Sequence, residues 1–461
     1  MFLTSRSSVR WVVALSVMLL VGLLPGMASA ATADDLYPGV ALPPSPVNGS
    51  LSDIPGHEDL QDYFYIDLVE GEQIDITFTA APGSVYVCNL FVADGESAPS
   101  ISGWDVYAYP QKINYVVPPD GGGRLVLRVM DAVGYGKQVG YTITWKKTGA
   151  PVNRMWGVNR YDTSCAIARG TYRTADSVIL ATGANFADAL SASYLAGVVD
   201  GPVMLVGANV WDIWSEIVRL GPSHIYIVGG VTAVNAQVEN DLIKYAKGWN
   251  VERIAGANRY ETAAKIARRA AELAGVEPTK AFVCKGTDFP DALAVSPFAF
   301  SMQMPVLLTP TGTLDGYCAS VIEDFDITDV YIPGSTVAVS EDIEVALGAL
   351  NDGATQVTER FSGESRYNTA GIAAEYAVNH GWATWDFMGV ATGTGFADAL
   401  SGSVTCGKRG GVLALTNPKT MNPQIAAMLG NGTPDATRAV VFGSTAAVSS
   451  DVFVSVTNAV P

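Results

Sequence analysis

Hydrophobic and polar residues alternate with a period of two along residues 47–147. Tyr63-Phe64-Tyr65-Ile66-Asp67-Leu68, Gln73–Phe78, Val85–Val92, Lys112–Val117, Arg124–Val129 and Gly140–Trp145 are six strand candidates. Clusters of Gly, Pro and acidic residues, such as Glu70-Gly71-Glu72 and Pro118–Gly123, separate them. Short alternating strands with regular turn signals predict a small antiparallel β-sandwich over 47–150. The stretch 31–46 ahead of it is small, acidic and Pro-rich, with Asp34-Asp35 and Pro43-Pro44-Ser45-Pro46, and reads as a flexible leader. After Gly149-Ala150-Pro151 the texture changes. Apolar runs now alternate with helical stretches, the pattern of a parallel sheet covered by helices.

That second region repeats itself three times. Arg154-Met155-Trp156-Gly157-Val158-Asn159-Arg160-Tyr161-Asp162-Thr163 recurs from Arg253 to Thr262 and from Arg360 to Thr369, as RxxGxxRYxT. A second block follows: Gly183-Ala184-Asn185-Phe186-Ala187-Asp188-Ala189-Leu190, then Gly286–Leu293 and Gly393–Leu400. A third is a buried strand, Pro202-Val203-Met204-Leu205, Pro305-Val306-Leu307-Leu308 and Gly411-Val412-Leu413-Ala414-Leu415. The fourth runs into a small-residue turn, Ile227-Val228-Gly229-Gly230, Ile332-Pro333-Gly334-Ser335 and Val441-Phe442-Gly443-Ser444. Four blocks in one order, three times, mark a repeat architecture with copies at 151–250, 251–357 and 358–461.

In copy one the pattern predicts a helix from Thr163 to about Tyr172, a strand Val178–Ala181 and a helix Phe186–Val199. A strand Val203–Val206, a helix Asp212–Leu220, a strand Ile225–Val228 and a helix Asn235–Tyr245 follow. Each copy thus reads as a compact Rossmann-like unit, with right-handed crossovers placing helices on both faces. From Tyr161 to Asp188 copy one is four residues shorter than its counterparts, Tyr260 to Asp291 and Tyr367 to Asp398.

On RYxT, FxDAL, PVxL and VGG at repeated spacing, residues 154–461 resemble the cell wall binding repeat 2 family of exported Gram-positive surface proteins. The resemblance implies three tandem repeats packed as a pseudo-threefold trimer. It also implies non-covalent anchoring to an anionic secondary wall polymer, in a family whose repeats often flank amidase or protease domains. Copy three departs from PVxL with Gly411-Val412, and copy two has Pro333 before its turn glycine. Residues 47–147 resemble the bacterial pre-peptidase C-terminal domain in Asp62–Leu68, the Gly71-Glu72 turn and the closing Tyr141–Trp145. An immunoglobulin-like sandwich would read nearly the same way.

Composition narrows the functions. Of 461 residues 16% are charged and 49% hydrophobic, and the net charge is −17. That argues against a disordered or coiled-coil chain. It also excludes a general nucleic-acid binder, which needs a basic surface to displace counterions. Residues 1–30 read as a secretory signal: Arg6 and Arg10, an apolar Trp11–Leu24, the breaker Pro25-Gly26 and a cleavage site Ala28-Ser29-Ala30. The expected product is secreted and wall-associated, with no membrane contact after cleavage. Cys88, Cys165, Cys284, Cys318 and Cys406 lack any CxxC spacing and read as buried thiols, with a Cys284–Cys318 bridge open.

The triplicated polar residues carry the candidate chemistry. Arg160, Arg259 and Arg366 offer planar forks for phosphate or carboxylate, and Tyr161, Tyr260 and Tyr367 offer rings for a sugar face. The alternative is structural, with each Arg paired to a neighbouring carboxylate and each Tyr packed between repeats. Arg154, Arg253 and Arg360 share that ambiguity. The turn before each FxDAL helix is a second candidate, with Asn185 and Asp288 as contacts and helix N–H groups for an anion. Asp188, Asp291 and Asp398 read as first-turn helix caps. No HExxH, GxGxxG or GxSxG occurs, and His57, His224 and His380 lie far apart. No catalytic residue, metal or cofactor is therefore expected. The expected partners are an anionic secondary wall polymer or peptidoglycan. A host or matrix ligand for the sandwich is a further option, resting on Trp104, Tyr107 and Tyr109. The acidic net charge opposes a polyanion, so short-range Arg contacts and avidity over three copies must carry binding.

Overall fold

Five sheets organise the described residues. A computed structural model describes residues 40–148 with short gaps, and 152–460 except 247 and 431–437. The expected signal, residues 1–30, lies outside the described residues. Two compact units result, one from the sheets between Val40 and Lys146, the other from Lys147–Pro461 with the segments Val69–Gln73 and Asn114–Gly122. Among the described residues no helix is long and apolar enough to cross a membrane.

The first unit holds two five-stranded sheets. All six expected strands are present, near their predicted bounds, as in Gln61–Leu68, Gln73–Ala80 and Gly123–Asp131. Val47–Ile54, His57–Asp59 and Ser100–Val106 are additional strands. Their runs of Gly, Ser, Asp and Asn hide the two-residue period. Val40–Ala41, inside the expected leader, pairs in parallel with Phe64–Tyr65, so this edge is not antiparallel. The alternation Ile74, Ile76, Phe78 places three side chains in the core, each at most 1% exposed. Tyr141 of one sheet donates its hydroxyl hydrogen to buried Asp62 of the other. Trp104 lies on strand Ser100–Val106, and Tyr107 and Tyr109 fall outside the described residues.

The second unit holds three four-stranded parallel sheets. In copy one the strands Ser177–Thr182, Val203–Val206 and His224–Val228 stand close to their expected places. Their central residues are apolar and buried because helices cover both faces. Two expectations need correction. The helix expected over Phe186–Val199 begins at Ala192. Ala189 N–H bonds the Phe186 carbonyl and Asn185 takes the Ala187 N–H, so 186–190 close a tighter turn first. In copy two Pro290 follows Phe289 directly and starts the helix there, as its fixed φ favours.

The second correction concerns the unit itself. Each copy opens with a short strand, Val152–Met155, Asn250–Ile254 or Gln356–Phe361, which the patterning did not reveal and which in copies two and three begins one and two residues ahead of the expected bound. None of the three joins its own copy's sheet. Val228 pairs with Ile254, and Pro333 pairs with Phe361, so copies two and three each lend a strand backwards. Val152–Met155 pairs with Ala439–Phe442 and closes the circle from copy one onto copy three. A copy is therefore not self-contained, because its sheet edge is filled by another.

The helices Ala192–Val199, Pro290–Ser301 and Ala397–Lys408 pack on one another at the centre of this ring. Small residues allow the approach. A Cβ on Gly407 would lie 2.6 Å from the Pro297 carbonyl oxygen, and Gly197 abuts the backbone of Phe300. Ser191 donates to the Val306 carbonyl at 2.8 Å, and Thr171 meets Thr405 at 2.7 Å. One continuous apolar core runs from Val152 to Val460 through all three copies. Cys165, Cys284, Cys318 and Cys406 are buried free thiols, so no bridge joins Cys284 to Cys318. Burial raises all four thiol pKa values.

Candidate functional site

The motif RxxGxxRYxT is a device for starting a helix with Arg and Tyr in its first turn. Asn159 Oδ1 accepts from Tyr161 N–H at 2.8 Å and Asp162 N–H at 3.0 Å, and Asn258 does the same for Tyr260 and Glu261. Ser365 takes that place in copy three. These side chains satisfy N–H groups that a helix start leaves unpaired. The motif threonine closes the loop: Thr163, Thr262 and Thr369 accept from Gly157, Gly256 and Gly363 N–H at 3.1, 3.1 and 3.3 Å. A Cβ on Gly256 would lie 2.6 Å from Thr262 N, so glycine is required there. The helices that follow are Arg160–Arg169, Arg259–Ala274 and Arg366–Asn379. The first of them has 10 residues against 16 and 14, and copy one is shorter in this stretch.

The capped arginines all bind alike. Arg259 Nη1 donates to the Gly286 carbonyl at 2.6 Å and Arg366 Nη1 to that of Gly393 at 2.7 Å; Arg160 Nη1 donates to Gly183. Each guanidinium also lies over a phenylalanine of the preceding copy: Arg259 over Phe186 at 6.0 Å, Arg366 over Phe289 at 5.8 Å and Arg160 over Phe396 at 5.6 Å. Phe186, Phe289 and Phe396 form a triangle with centroids 5.4, 5.9 and 6.1 Å apart. The three equivalent positions are thus gathered around one approximate threefold axis. Among the described residues none of the three arginines forms an ion pair within 4 Å, while Arg169, Arg253 and Arg360 do.

Carboxylates stand behind this ring. Burial raises the Asp188, Asp291 and Asp398 pKa values, the last to about 6. Arg259, Arg366 and Arg160, each from the following copy, pull in the other direction. Asp291 and Asp398 sit in the first helical turn as expected, whereas Asp188 precedes its helix. Each carboxylate presses on the turn glycine of its own copy. Gly334, at φ +102°, would bring a Cβ to 2.5 Å from Asp291 Oδ2, and Gly229 and Gly443 repeat the arrangement. The N–H of each of these glycines bonds the leading strand of the next copy, as from Gly443 to the Met155 carbonyl at 2.8 Å.

The other candidates have local duties. Tyr161, Tyr260 and Tyr367 are half-buried behind the glycine turns, where a Cβ on Gly286 would lie 2.6 Å from Tyr260 Cε1. Asn185 is exposed and caps its own turn, and half-buried Asp288 accepts from Phe289 N–H at 2.9 Å. Arg154, Arg253 and Arg360 donate to the carbonyls of Gly443, Gly229 and Gly334 at 2.7, 2.8 and 3.0 Å. They tie copies together. The phenylalanines were missed as site residues, though their recurrence ahead of each DAL block was visible.

Residues 154–239, 253–344 and 360–453 match the family described as Cell wall binding domain 2, which covers more than half of the chain. The chain is 28% identical to N-acetylmuramoyl-L-alanine amidase LytC of Bacillus subtilis (strain 168), over 65% of this chain and 57% of that protein. It is 30% identical to an amidase enhancer of the same organism, over 67% of this chain and 41% of that one. The chain thus spans about half the length of these curated relatives. The fold is shared with Cwp6 from Clostridium difficile, at a TM-score of 0.61 and 18% identity, covering 86% of this chain and 68% of that one.

Proposed function

The chain belongs to the Cell wall binding domain 2 family, and from that membership we propose that it is an exported, non-catalytic surface protein whose arginine ring holds an anionic wall polymer. One observation carries the reading. Arg160, Arg259 and Arg366 converge on the Phe186–Phe289–Phe396 triangle, each with its Nη1 on a backbone carbonyl and no carboxylate ion pair among the described residues. A guanidinium carries five N–H donors, so each has donors left for phosphate or carboxylate oxygens. Three cations from one rigid core engage a polymer at once and counter the −17 net charge at short range. Residues 1–30 direct export, and the N-terminal sheets face a partner or act as a spacer.

Co-sedimentation with Gram-positive cell walls tests this, before and after hydrofluoric acid strips phosphate-linked polymers. Binding that is lost on stripping, and lost in the triple variant Arg160→Ala, Arg259→Ala, Arg366→Ala, is the expected result. Binding that survives stripping moves the ligand to peptidoglycan. Failure to bind either wall overturns the anchoring role. The two curated relatives favour one further reading, in which the chain assists a wall hydrolase. An increase in amidase activity on intact walls upon adding this chain would support it.

A further inference from the structure

Copy one carries an aromatic row that copies two and three lack. Tyr245, Trp211, Trp214 and Trp249 follow one another with ring centroids 5.3, 5.1 and 5.6 Å apart. Three separate segments contribute. Trp211 and Trp214 lie at the start of helix Trp214–Leu220, Tyr245 ends helix Ala236–Tyr245, and Trp249 precedes strand Asn250–Ile254. The positions matching Trp211, Trp214 and Tyr245 hold Leu314, Tyr317 and Leu350 in copy two and Met421, Gln424 and Ala459 in copy three.

The row is not a by-product of core packing. Val210 and Ile213 point inward and are fully buried, while Trp211 between them is 41% exposed. Trp214 and Trp249 pack against the core, but Trp211 and Tyr245 are not among the residues that do. The Trp211 N–H bonds Asn209 Oδ1 at 3.0 Å, which fixes the turn that presents the indole. An indole held outward on other aromatic rings is a surface built for contact, since exposed apolar rings are otherwise disfavoured.

We infer that this row is a second binding subsite, which stacks the rings of a neutral sugar chain. Neighbouring rings are inclined by 39–66° and brace one another, and the exposed Trp211 indole offers the kind of apolar surface on which a pyranose C–H face packs. The charge around it selects against the polyanion assigned to the arginine ring. Asp212 is exposed at its edge and raises the pKa of half-buried Asp162, after burial. The cation beside it, Lys244, lies 4.7 Å over the Tyr245 ring and near Asp241. Carboxylate oxygens accept hydrogen bonds from sugar hydroxyls and repel anions. The subsite is independent of the arginine ring, so either stands if the other fails.

Isothermal titration of the full chain with chitohexaose and with cellohexaose tests it. Saturable binding of at least one hexamer is expected, weakened at least tenfold by Trp211→Ala and largely kept by Trp211→Phe. Trp211→Ala should still fold, because that side chain is outside the core, and Trp211→Phe keeps a ring against Trp214 and Tyr245. The arginine triple variant should bind the hexamer unchanged. Absence of heat with both sugars overturns the inference, as does binding that Trp211→Ala leaves intact. Loss in the arginine triple variant would return the sugar to the axial site. Self-association abolished by Trp211→Ala, without sugar binding, would make the row a protein contact instead.

Discussion

The guanidinium of Arg160, at the start of the first copy, lies 5.6 Å from the ring centroid of Phe396 in the third. The same relationship joins Arg259 to Phe186 and Arg366 to Phe289. Two of these contacts follow a covalent link, and the third closes the ring without one. Lys408–Asp200 at 2.7 Å and the strand pair Val152–Met155 with Ala439–Phe442 complete that closure.

The axial triangle should therefore contribute to stability in every copy at once. Phe289→Ala removes a half-buried ring that touches both Phe186 and Phe396. It is expected to cost roughly 2 kcal/mol, at the lower end for a large-to-small change because the ring is partly wet. Urea unfolding followed by far-ultraviolet circular dichroism measures it. A midpoint shift equal to that of an exposed Val337→Ala control would refute a packing role for the triangle.

The leading-strand arginines should not be equivalent. Arg253 pairs with Glu239 at 2.8 Å and Arg360 pairs with Glu344. The matching place in copy three is Phe453, and Arg154 lies over its ring at 5.0 Å. Burial lowers the Arg154 pKa to about 10, partly offset by Asp398. Arg253→Met strands a carboxylate and should cost about 2 kcal/mol, whereas Arg154→Met strands only a carbonyl and should cost about 1. Thermal melts of the two variants decide the order, and equal losses would contradict it.

Gly334→Ala forces a side chain into φ +102° and against Asp291 Oδ2. A loss of about 2 kcal/mol or more is expected, combining backbone strain with the clash. Gly312→Ala, where a Cβ meets nothing within 4 Å, is the matched control. Chemical denaturation of both should show the loss in the first alone.

The buried aspartates set a pH dependence. The Asp398 pKa rises from 3.8 to about 6 on folding, because burial penalises the anion more than Arg160 and Arg154 favour it. The folded state then holds the proton more tightly than the unfolded chain. This contribution is fully present below pH 3.8 and is lost as pH rises through about 6. It amounts to something on the order of 3 kcal/mol for Asp398, and Asp188 and Asp291 act in the same direction. Melting temperatures at pH 4 to 8 should lose part of their slope in Asp398→Asn. Protonation also removes negative charge behind the arginines, so polymer retention on walls should strengthen between pH 7 and 5. Retention that weakens over that interval would argue against the axial site.

Local chemistry made much of this protein legible from its residues. Asn159 and Asn258 announce helix starts, Gly286 and Gly334 announce turns, and the buried strands announce a covered parallel sheet. Those features act within a few residues, so spacing alone exposes them. The short strand around Arg154 stayed hidden because only four residues form it and they carry no period. Copy-one helix Ala192–Val199 starts late because Asn185 and Phe186 close a turn ahead of it, a choice the repeated Phe-Ala-Asp-Ala-Leu pattern does not show. The amino-acid sequence by itself determined three copies, most of their elements and the residues they share. Only the tertiary structure decided that each sheet borrows its edge strand from another copy, and that three arginines meet three phenylalanines on one axis. Strand partners and ring contacts depend on which surfaces remain unfilled after the chain has closed, and no local pattern records that.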